Sequence, residues 1–494
     1  MNFEIDYVAL APELIVAATI VAGLIVDLLL VRRNKYWVAV LSIVGVTGAL
    51  VPIVYMLVDG SKRSMFNGSY VVDEFALILK VVFLVAGYLV LLMSVSYIES
   101  DRYYQGEYYF LLLSSILGSV VLSSARDLLI LFIGIELTTG PLFLLSGWRK
   151  GDAKSNEAAL KFFILGVLST AILLYGMSLL FGLTGSIEFA AIAEAIPEVA
   201  SEPALVIAVL FLIVGFGFKI SAVPFHFWAP DTYEGAPTPV AAYLSVNSKA
   251  AGFVAMLIVM YTALPAVSDV WAPALWILAA ASMTVGNLAA LRQSNIVRLL
   301  AYSSIAQAGF MMVPFAAAAV ADSDLEQAFS ATVVYMVIYA LMNLGAFAVV
   351  IAGARRTGSG EIDDWAGLGR KDAVLGILAA LFFLSLAGIP PLAGWYAKFV
   401  MFASVIEGGG TWTLVLAGFA AVNSVIAFYY YARVIKAVWL DAPSDELMAR
   451  PALGYSGSIK LSLAIAIGLT VAIGIYPTFA TYFGEASRVI ATGG

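Results

Sequence analysis

The sequence predicts an all-α, polytopic membrane protein of about fourteen transmembrane helices, arranged as two inverted five-helix repeats that each contain a discontinuous helix. Three observations carry that prediction. Of 494 residues, 62% are hydrophobic and only 12% charged, against roughly a quarter charged in an average soluble domain. The apolar residues fall in runs of roughly 20, the length that crosses a hydrocarbon core of about 30 Å as helix. Two of the runs are broken by proline, and they cross the bilayer in opposite directions.

In order, the runs near 9–31, 37–58 and 74–97 make an N-terminal three-helix segment, residues 1–97. Runs near 107–124, 127–148, 158–182, 204–227 and 238–262 make the first five-helix repeat, 107–262. Those near 272–291, 296–318, 327–353, 373–406 and 412–439 make the second, 272–439, and the run near 458–484 opens a C-terminal span and tail, 458–494. Acidic Glu4 and Asp6 precede the first run, which is therefore read as a retained span and not a cleaved signal peptide. No soluble domain is expected. The absence of cysteine excludes a disulfide framework, a thiolate metal site and a cysteine nucleophile. The dispersed glycines offer no phosphate loop, and a lone histidine argues against a metal.

The net charge of −7 makes nucleic acid an unlikely partner, and its distribution says more than its sum. Loops after odd-numbered spans hold Arg32, Arg33, Lys35, Arg102, Arg149, Lys150, Lys154, Lys161, Arg292, Arg298, Arg355, Arg356, Arg370, Lys371, Arg433, Lys436, Arg450 and Lys460. The opposite side holds only Lys62, Arg63, Arg126 and Arg488, beside the acids Glu188, Glu194, Glu198 and Glu202. By the positive-inside rule both termini face outward. The tyrosine clusters Tyr103-Tyr104, Tyr108-Tyr109 and Tyr429-Tyr430-Tyr431 lie near span ends and read as interfacial anchors.

The segment 373–406 would measure roughly 50 Å as one straight helix. It is expected to break at Gly388-Ile389-Pro390-Pro391-Leu392-Ala393-Gly394. Span seven is expected to break at Pro224. Taken singly, each is an ordinary proline kink. Paired in two repeats of opposed direction, broken helices point to an ion site at the midplane.

Four of the 26 basic residues, Lys80, Lys219, Lys249 and Lys398, fall inside spans, and so does Glu136. Lys219, Lys249 and Glu136 are expected near one depth. An ionisable group at midplane costs on the order of 3 kcal/mol on insertion scales, so several of them imply pairing, hydration or proton transfer. Opposite charges about 4 Å apart at an effective dielectric near 20 attract by roughly 4 kcal/mol. Approach or withdrawal of a carboxylate can therefore decide whether a lysine keeps its proton. A static structural ion pair between Glu136 and Lys219 is the plainer alternative. Lys80, only about six residues into its span, is expected to snorkel to the outer surface. His226 reads either as a proton shuttle or as a structural hydrogen-bonding group beside the break.

The stretch from Lys219-Ile220-Ser221-Ala222-Val223-Pro224-Phe225-His226 through Asp231-Thr232-Tyr233-Glu234-Gly235-Ala236-Pro237-Thr238-Pro239 resembles the signature of the antiporter-like subunits of respiratory complex I. Ser248-Lys249-Ala250, Arg298-Leu299-Leu300-Ala301-Tyr302-Ser303-Ser304-Ile305-Ala306-Gln307 and Gly388-Ile389-Pro390-Pro391 with Lys398 extend the resemblance over essentially the whole chain. Within the family the wording is most similar to the N branch. The end of the chain soon after span fourteen is read against the L branch, which adds a long amphipathic helix.

The resemblance implies that Glu136 is the span-five acid, Lys219 its span-seven partner, Lys249 a bridging lysine, Lys398 the terminal lysine and His226 the span-seven histidine, all on a hydrated midplane proton path. Gln307 stands where relatives often carry histidine. The resemblance further implies a prokaryotic plasma membrane or an energy-transducing organelle membrane, and other membrane-arm subunits as partners. No cofactor is expected in this chain, with NAD, FMN, iron-sulfur clusters and quinone in partner subunits. A subunit of a multisubunit Na⁺(K⁺)/H⁺ antiporter, or a scaffold with frozen charges, are the competing functions.

Overall fold

The computed structural model describes residues 5–30, 35–99, 106–321, 325–451 and 454–491, without the side chains of 318–321, 325 and 486–491. Glu4, Arg32, Arg33, Arg102, Tyr103 and Tyr104, and the side chain of Arg488, lie outside the described residues.

The chain opens with α1 (Ala11–Leu29), α2 (Tyr36–Asp59) and, after a short β-hairpin, α3 (Glu74–Glu99). There follow α4 (Glu107–Ser123), α5 (Leu128–Ser146), α6 (Ala153–Thr184), α7 (Phe189–Val199), α8 (Pro203–Lys219) and α9 (Trp228–Gly235). Next, α10 (Thr238–Tyr243) and α11 (Lys249–Ile258) are joined by a π-helical turn into one continuous span. Beyond it lie α12 (Ser268–Ala290), α13 (Ile296–Ala321), α14 (Leu325–Thr357), α15 (Leu368–Lys371), α16 (Ala373–Ala387), α17 (Ala393–Gly408) and α18 (Thr411–Trp439). The chain closes with α19 (Asp445–Ala449), α20 (Gly457–Ile475) and α21 (Thr478–Ala491). Among the described residues, 11 helices are long and apolar enough to cross a membrane, and α4, α8 and α16 are shorter apolar helices.

Helix starts follow local chemistry. Asp127, Asp372 and Ser456 accept from the backbone N–H three residues on and so cap α5, α16 and α20, each worth about 1 kcal/mol. At the centre, the apolar middles of α14 and of the Thr238–Ala263 span are buried throughout, while α6 and α18 lie at the rim with large apolar side chains facing out. That is the pattern of helices solvated by lipid or by apolar partners.

The loops sort to two ends, as alternating crossings require. At one end the hairpin residue Tyr70 bridges to Ala125, and Asp127 bridges to Glu188. At the other, Asn295 bridges to Glu361, and Asp231 pairs with Lys161 and Arg298. We call these the hairpin end and the basic end.

Several expectations need correction. The fold is not purely helical: β1 (Arg63–Met65) and β2 (Tyr70–Val72) form an antiparallel hairpin. Phe66 (φ 53°), Asn67 (φ 57°) and Gly68 (φ 95°) supply the left-handed conformations of its turn. The run 458–484 is two helices, because Pro477 lacks the N–H that would carry α20 onward.

The two tyrosine clusters among the described residues are not interfacial anchors: Tyr108, Tyr109, Tyr430 and Tyr431 are buried, and of these five only Tyr429 faces out. Successive residues on a helix point about 100° apart, so three in a row cannot share one interface.

Span seven is already broken at Lys219, five residues before Pro224. Ser221 adopts φ 58°, its N–H bonds back to the Phe218 carbonyl, and Ala222 N–H bonds to Gly217. That pair of bonds is a Schellman cap. The expected break in span twelve lies between Ala387 and Ala393. It carries the same cap, with Gly388 at φ 89°, Gly388 N–H on Ser385 and Ile389 N–H on Leu384.

Candidate functional site

A helix end leaves its last carbonyls without intrahelical donors, and inside an apolar span each must find a partner. At the end of α8 the Schellman cap serves Gly217 and Phe218. Lys249 Nζ serves the Ile220 carbonyl, two residues beyond Phe218, at 2.8 Å, and also reaches the Ser304 carbonyl of α13 at 3.0 Å. At the end of α16 the cap serves Leu384 and Ser385, Gln307 Nε2 serves Leu386 at 3.2 Å, and Lys398 Nζ serves Ala387 at 2.8 Å. Each ammonium thus sits at the negative end of a half-helix dipole. Lys398 also lies 5.1 Å over the Phe310 ring.

Lys219, the last helical residue of α8, reaches across to α5, where Nζ donates to Glu136 Oε1 at 3.1 Å and to Thr139 Oγ1 at 2.9 Å. Thr170 of α6 donates to the same carboxylate oxygen at 2.9 Å. Gly252 lets α11 lie against this end of α8: a Cβ there would fall 2.8 Å from the Lys219 Cβ.

Glu136 is not buried as expected. Its side chain is 29% exposed, because it shares an outward stripe of α5 with the exposed Leu129, Ile133 and Leu144. One oxygen turns in toward Lys219 while the residue itself lies at the edge of the chain.

Lys219, Lys249 and Lys398 are all buried. Between the last two, Gln307 joins four helices: it donates to Leu386 and to Tyr431, and its Oε1 accepts from Tyr335 at 2.7 Å. Ser303, on the same helix, pairs with Tyr431. Sequence reasoning did not single out Thr139, Thr170 and Tyr335, and read Tyr431 as an interfacial anchor. Burial of Tyr431 and the hydroxyls beside each charge become visible only when helices are set side by side. His226 is buried past the break, its ring 4.6 Å from that of Phe227 and tilted 31° to it, and its Nδ1 has no hydrogen-bond partner.

Lys80 is the clearest reversal. It does not snorkel: it is fully buried and pairs with Glu13 of α1 at 2.7 Å.

The acids of the signature stretch have a separate task at the basic end. Asp231 binds Lys161 at 2.6 Å and Arg298 at 2.8 Å, while Glu234 binds Lys154 and Arg298 at 2.9 Å each. Burial alone would raise both carboxyls, but the hydrogen bonds from Lys161 and Arg298, and from Lys154 and Arg298, outweigh it and hold each below its ordinary value. This network pins α9, and with it the far side of the first break, to α6 and α13.

Among the described residues no group of three His, Asp or Glu side chains is placed to hold a metal ion.

Residues 125–426 match the family described as NADH:quinone oxidoreductase/Mrp antiporter, transmembrane. The chain belongs to this family. It is 39% identical over 477 residues to a Trichlorobacter lovleyi protein named NADH-quinone oxidoreductase subunit N, covering 96% of this chain and 95% of that one. It is 42% identical over 438 residues to NAD(P)H-quinone oxidoreductase subunit 2 of Trichodesmium erythraeum, covering 88% and 81%. A chain of respiratory complex I from Thermus thermophilus superposes with a TM-score of 0.77 at 32% identity, covering 95% and 98%. A chain of the Mrp complex from Dietzia shares the fold, with a TM-score of 0.84 at 17% identity over 99% and 100%.

The family match encloses Glu136, Lys219, His226, Lys249, Gln307 and Lys398, together with both Schellman-capped breaks and the Asp231–Arg298 network. Glu13 and Lys80 fall outside it.

Proposed function

We propose that this chain is an antiporter-like membrane-arm subunit of a complex I-type NADH:quinone oxidoreductase, and that it translocates protons along Glu136, Lys219, Lys249 and Lys398 while electrons pass from NADH or a related donor to quinone in other subunits. One observation carries the reading: Glu136–Lys219, Ile220–Lys249–Ser304, Gln307–Leu386 and Ala387–Lys398 form a series of direct contacts across the interior of the chain. A buried ion pair alone is weak evidence of function. Three buried lysines sharing one polar series, two of them held only by carbonyls and an aromatic face, are not explained by a single static pair.

In this reading Glu136 is the switch. Roughly 4 kcal/mol of attraction at contact distance holds the proton on Lys219. Withdrawal of the carboxylate toward its exposed side frees that proton for Lys249 and then, through the Gln307 region, for Lys398. The half-helix ends hold each ammonium in place without a permanent counter-ion, so a proton can leave without stranding a carboxylate. His226, with a free ring nitrogen near the break, acts as a shuttle to the basic end.

The three shorter apolar helices, added to the longer ones, make fourteen crossings. The matching caps at the ends of α8 and α16 support inverted repeats over 107–262 and 272–439, flanked by the three-helix segment 1–97 and the tail 458–494. The distribution of basic residues supports both termini outside, and the likeness to complex I subunits supports a prokaryotic plasma membrane or an energy-transducing organelle membrane. NAD, FMN, iron-sulfur clusters and quinone belong to partner subunits, and the outward stripe bearing Glu136 suits contact with a neighbouring membrane subunit.

The test is Lys219→Ala in the assembled complex, with electron transfer and proton translocation measured together in vesicles. Loss of translocation in a complex of normal composition is expected. Normal translocation would overturn the reading, and proton exchange driven by Na⁺ or K⁺ without NADH would favour a cation antiporter.

A further inference from the structure

At the basic end a groove of about 750 Å³ opens between the start of α4, the end of α5 and the start of α6, and none of the central-series residues lines it. Its polarity changes with depth. The mouth is formed by Glu107, the first residue of α4, by Trp148 and Lys150 just after α5, and by Asn156 near the start of α6. A turn or more toward the membrane interior, the walls are Leu111, Phe143, Leu144, Leu160 and Phe163. From Asn156 to Phe163 the helix rises about 10 Å, comparable to the depth over which a bilayer passes from headgroups to hydrocarbon. Packing fixes this shape. Phe143 and Phe163 meet edge to face across α5 and α6 with ring centres 5.5 Å apart, and a Cβ on Gly147 would fall 2.8 Å from the Ala159 Cβ. Trp148 is held edge-on against Tyr108 at 5.4 Å, and Asn156 Nδ2 donates to the Lys150 carbonyl at 3.1 Å, tying the rim loop to α6.

Three groups at the mouth lack partners. Trp148 is 7% exposed, and its Nε1, which can only donate, has no hydrogen-bond partner. Glu107 and Lys150 are both exposed, and no ion pair joins them to each other or to another described residue. Opposite charges on one rim suit a headgroup that carries both signs, since a headgroup of a single sign is repelled by one of them. Basic pockets between spans at the cytoplasmic face are where lipid headgroups are held, and an indole at that level is amphipathic in the same sense. A neighbouring apolar helix would cover the walls and leave the polar mouth unserved.

We propose that this groove binds a zwitterionic, amine-bearing phospholipid of the phosphatidylethanolamine class. The phosphate accepts from Lys150 Nζ and, at the groove wall, from Trp148 Nε1. The primary ammonium donates to the Glu107 carboxylate, and the acyl chains lie along the aromatic and leucine walls. A quaternary ammonium has no N–H for Glu107, and an anionic headgroup brings no cation to it, so the mouth distinguishes phosphatidylethanolamine from phosphatidylcholine and phosphatidylglycerol. Leu144 belongs both to the groove and to the outward stripe that carries Glu136. The lipid therefore lies at the edge of the surface offered to a neighbouring membrane subunit and is held between the two. Its binding does not depend on the route that protons take.

The experiment places the whole complex in nanodiscs containing a trace of phosphatidylethanolamine with a photoactivatable diazirine in its acyl chain, and maps the labelled peptides by mass spectrometry after irradiation. The bulk lipid is phosphatidylcholine alone, or half phosphatidylethanolamine, or half phosphatidylglycerol. In phosphatidylcholine, labelling is expected on the peptides that carry Phe143, Leu144, Leu160 or Phe163. Unlabelled phosphatidylethanolamine is expected to lower it about tenfold, the scale of one hydrogen bond to a charged group, and phosphatidylglycerol to leave it unchanged. Lys150→Gln is expected to lower groove labelling about tenfold, and Glu107→Gln to keep labelling while removing the preference over phosphatidylcholine. Equal labelling in all three lipids, or an equal fall with either competitor, overturns the proposal by showing ordinary annular lipid only. So does an unlabelled groove in a complex whose other spans are labelled, which would give the groove to a neighbouring subunit. The competition on the unmodified complex needs no variant, so it decides even if a substitution prevents assembly.

Discussion

Lys398 donates from Nζ to the carbonyl oxygen of Ala387 at 2.8 Å, and Ala387 is the last helical residue before the second break. The charge proposed to carry protons is thereby also a structural cap. Lys398→Met keeps the stem and removes the donor, leaving a buried carbonyl unserved at a cost of about 1–3 kcal/mol. The variant is expected to lower the unfolding temperature of the purified complex's membrane arm and to abolish coupled translocation. A variant that loses translocation with an unchanged unfolding temperature would show that the cap is dispensable.

The two Schellman caps make opposite predictions at their left-handed residues. Ser221 holds φ 58°, where a side chain is disfavoured, so Ser221→Gly is expected to be tolerated or to stabilise by about 1 kcal/mol. Gly388 holds φ 89°, and a Cβ there would lie 2.7 Å from Lys398 Cδ. Gly388→Ala is therefore expected to destabilise by about 1–3 kcal/mol and to displace Lys398. Thermal unfolding of the two variants beside translocation assays checks both signs.

Much of this arrangement is legible in the sequence. The apolar runs place most of the long helices within a few residues, since length and hydropathy report a bilayer directly, while the last run merges α20 with α21. Gly388-Ile389-Pro390-Pro391 marks the second break because glycine and proline act locally. The first break is misread because its left-handed residue is Ser221, and nothing in a serine's chemistry announces that conformation. Glu136 at an edge, Lys80 in the interior and buried Tyr431 are all questions of which helix face meets which neighbour. An apolar span in lipid carries no polar face to answer them, so hydrophobic periodicity is silent.

The basic-end network of Asp231, Glu234, Arg298, Lys154 and Lys161 predicts a pH and salt dependence. Both carboxyls sit below their ordinary values of 3.8 and 4.5. A depressed carboxyl contributes stability that is complete above those values and is lost as pH falls through the lower, folded value. The pairs are partly exposed, each worth about 0.2–1 kcal/mol, and screened by salt. Arg298→Ala, which removes the donor shared by both acids, is expected to destabilise by about 1–2 kcal/mol at neutral pH. Its effect is expected to shrink in high salt and to vanish in acid. A salt-independent loss of stability would mean that Arg298 acts through packing.

At Gln307 a structural role and a proton-carrying role can be told apart. It donates to the Leu386 carbonyl, accepts from Tyr335 and contacts Tyr431, so Gln307→Leu strands two buried polar groups at once, at about 1–3 kcal/mol each. Gln307→His keeps a donor and an acceptor in a ring of similar reach and adds a group that can hold a proton. If the amide only positions the neighbours, histidine should restore stability and translocation together, with the pH profile of translocation unchanged. If the interval between Lys249 and Lys398 is bridged by water that passes protons beside the amide, histidine should restore stability but add a titration near neutral pH to the translocation profile. Measuring the leucine and histidine variants over a pH series distinguishes these outcomes, and full translocation by Gln307→Leu would remove this residue from the path altogether.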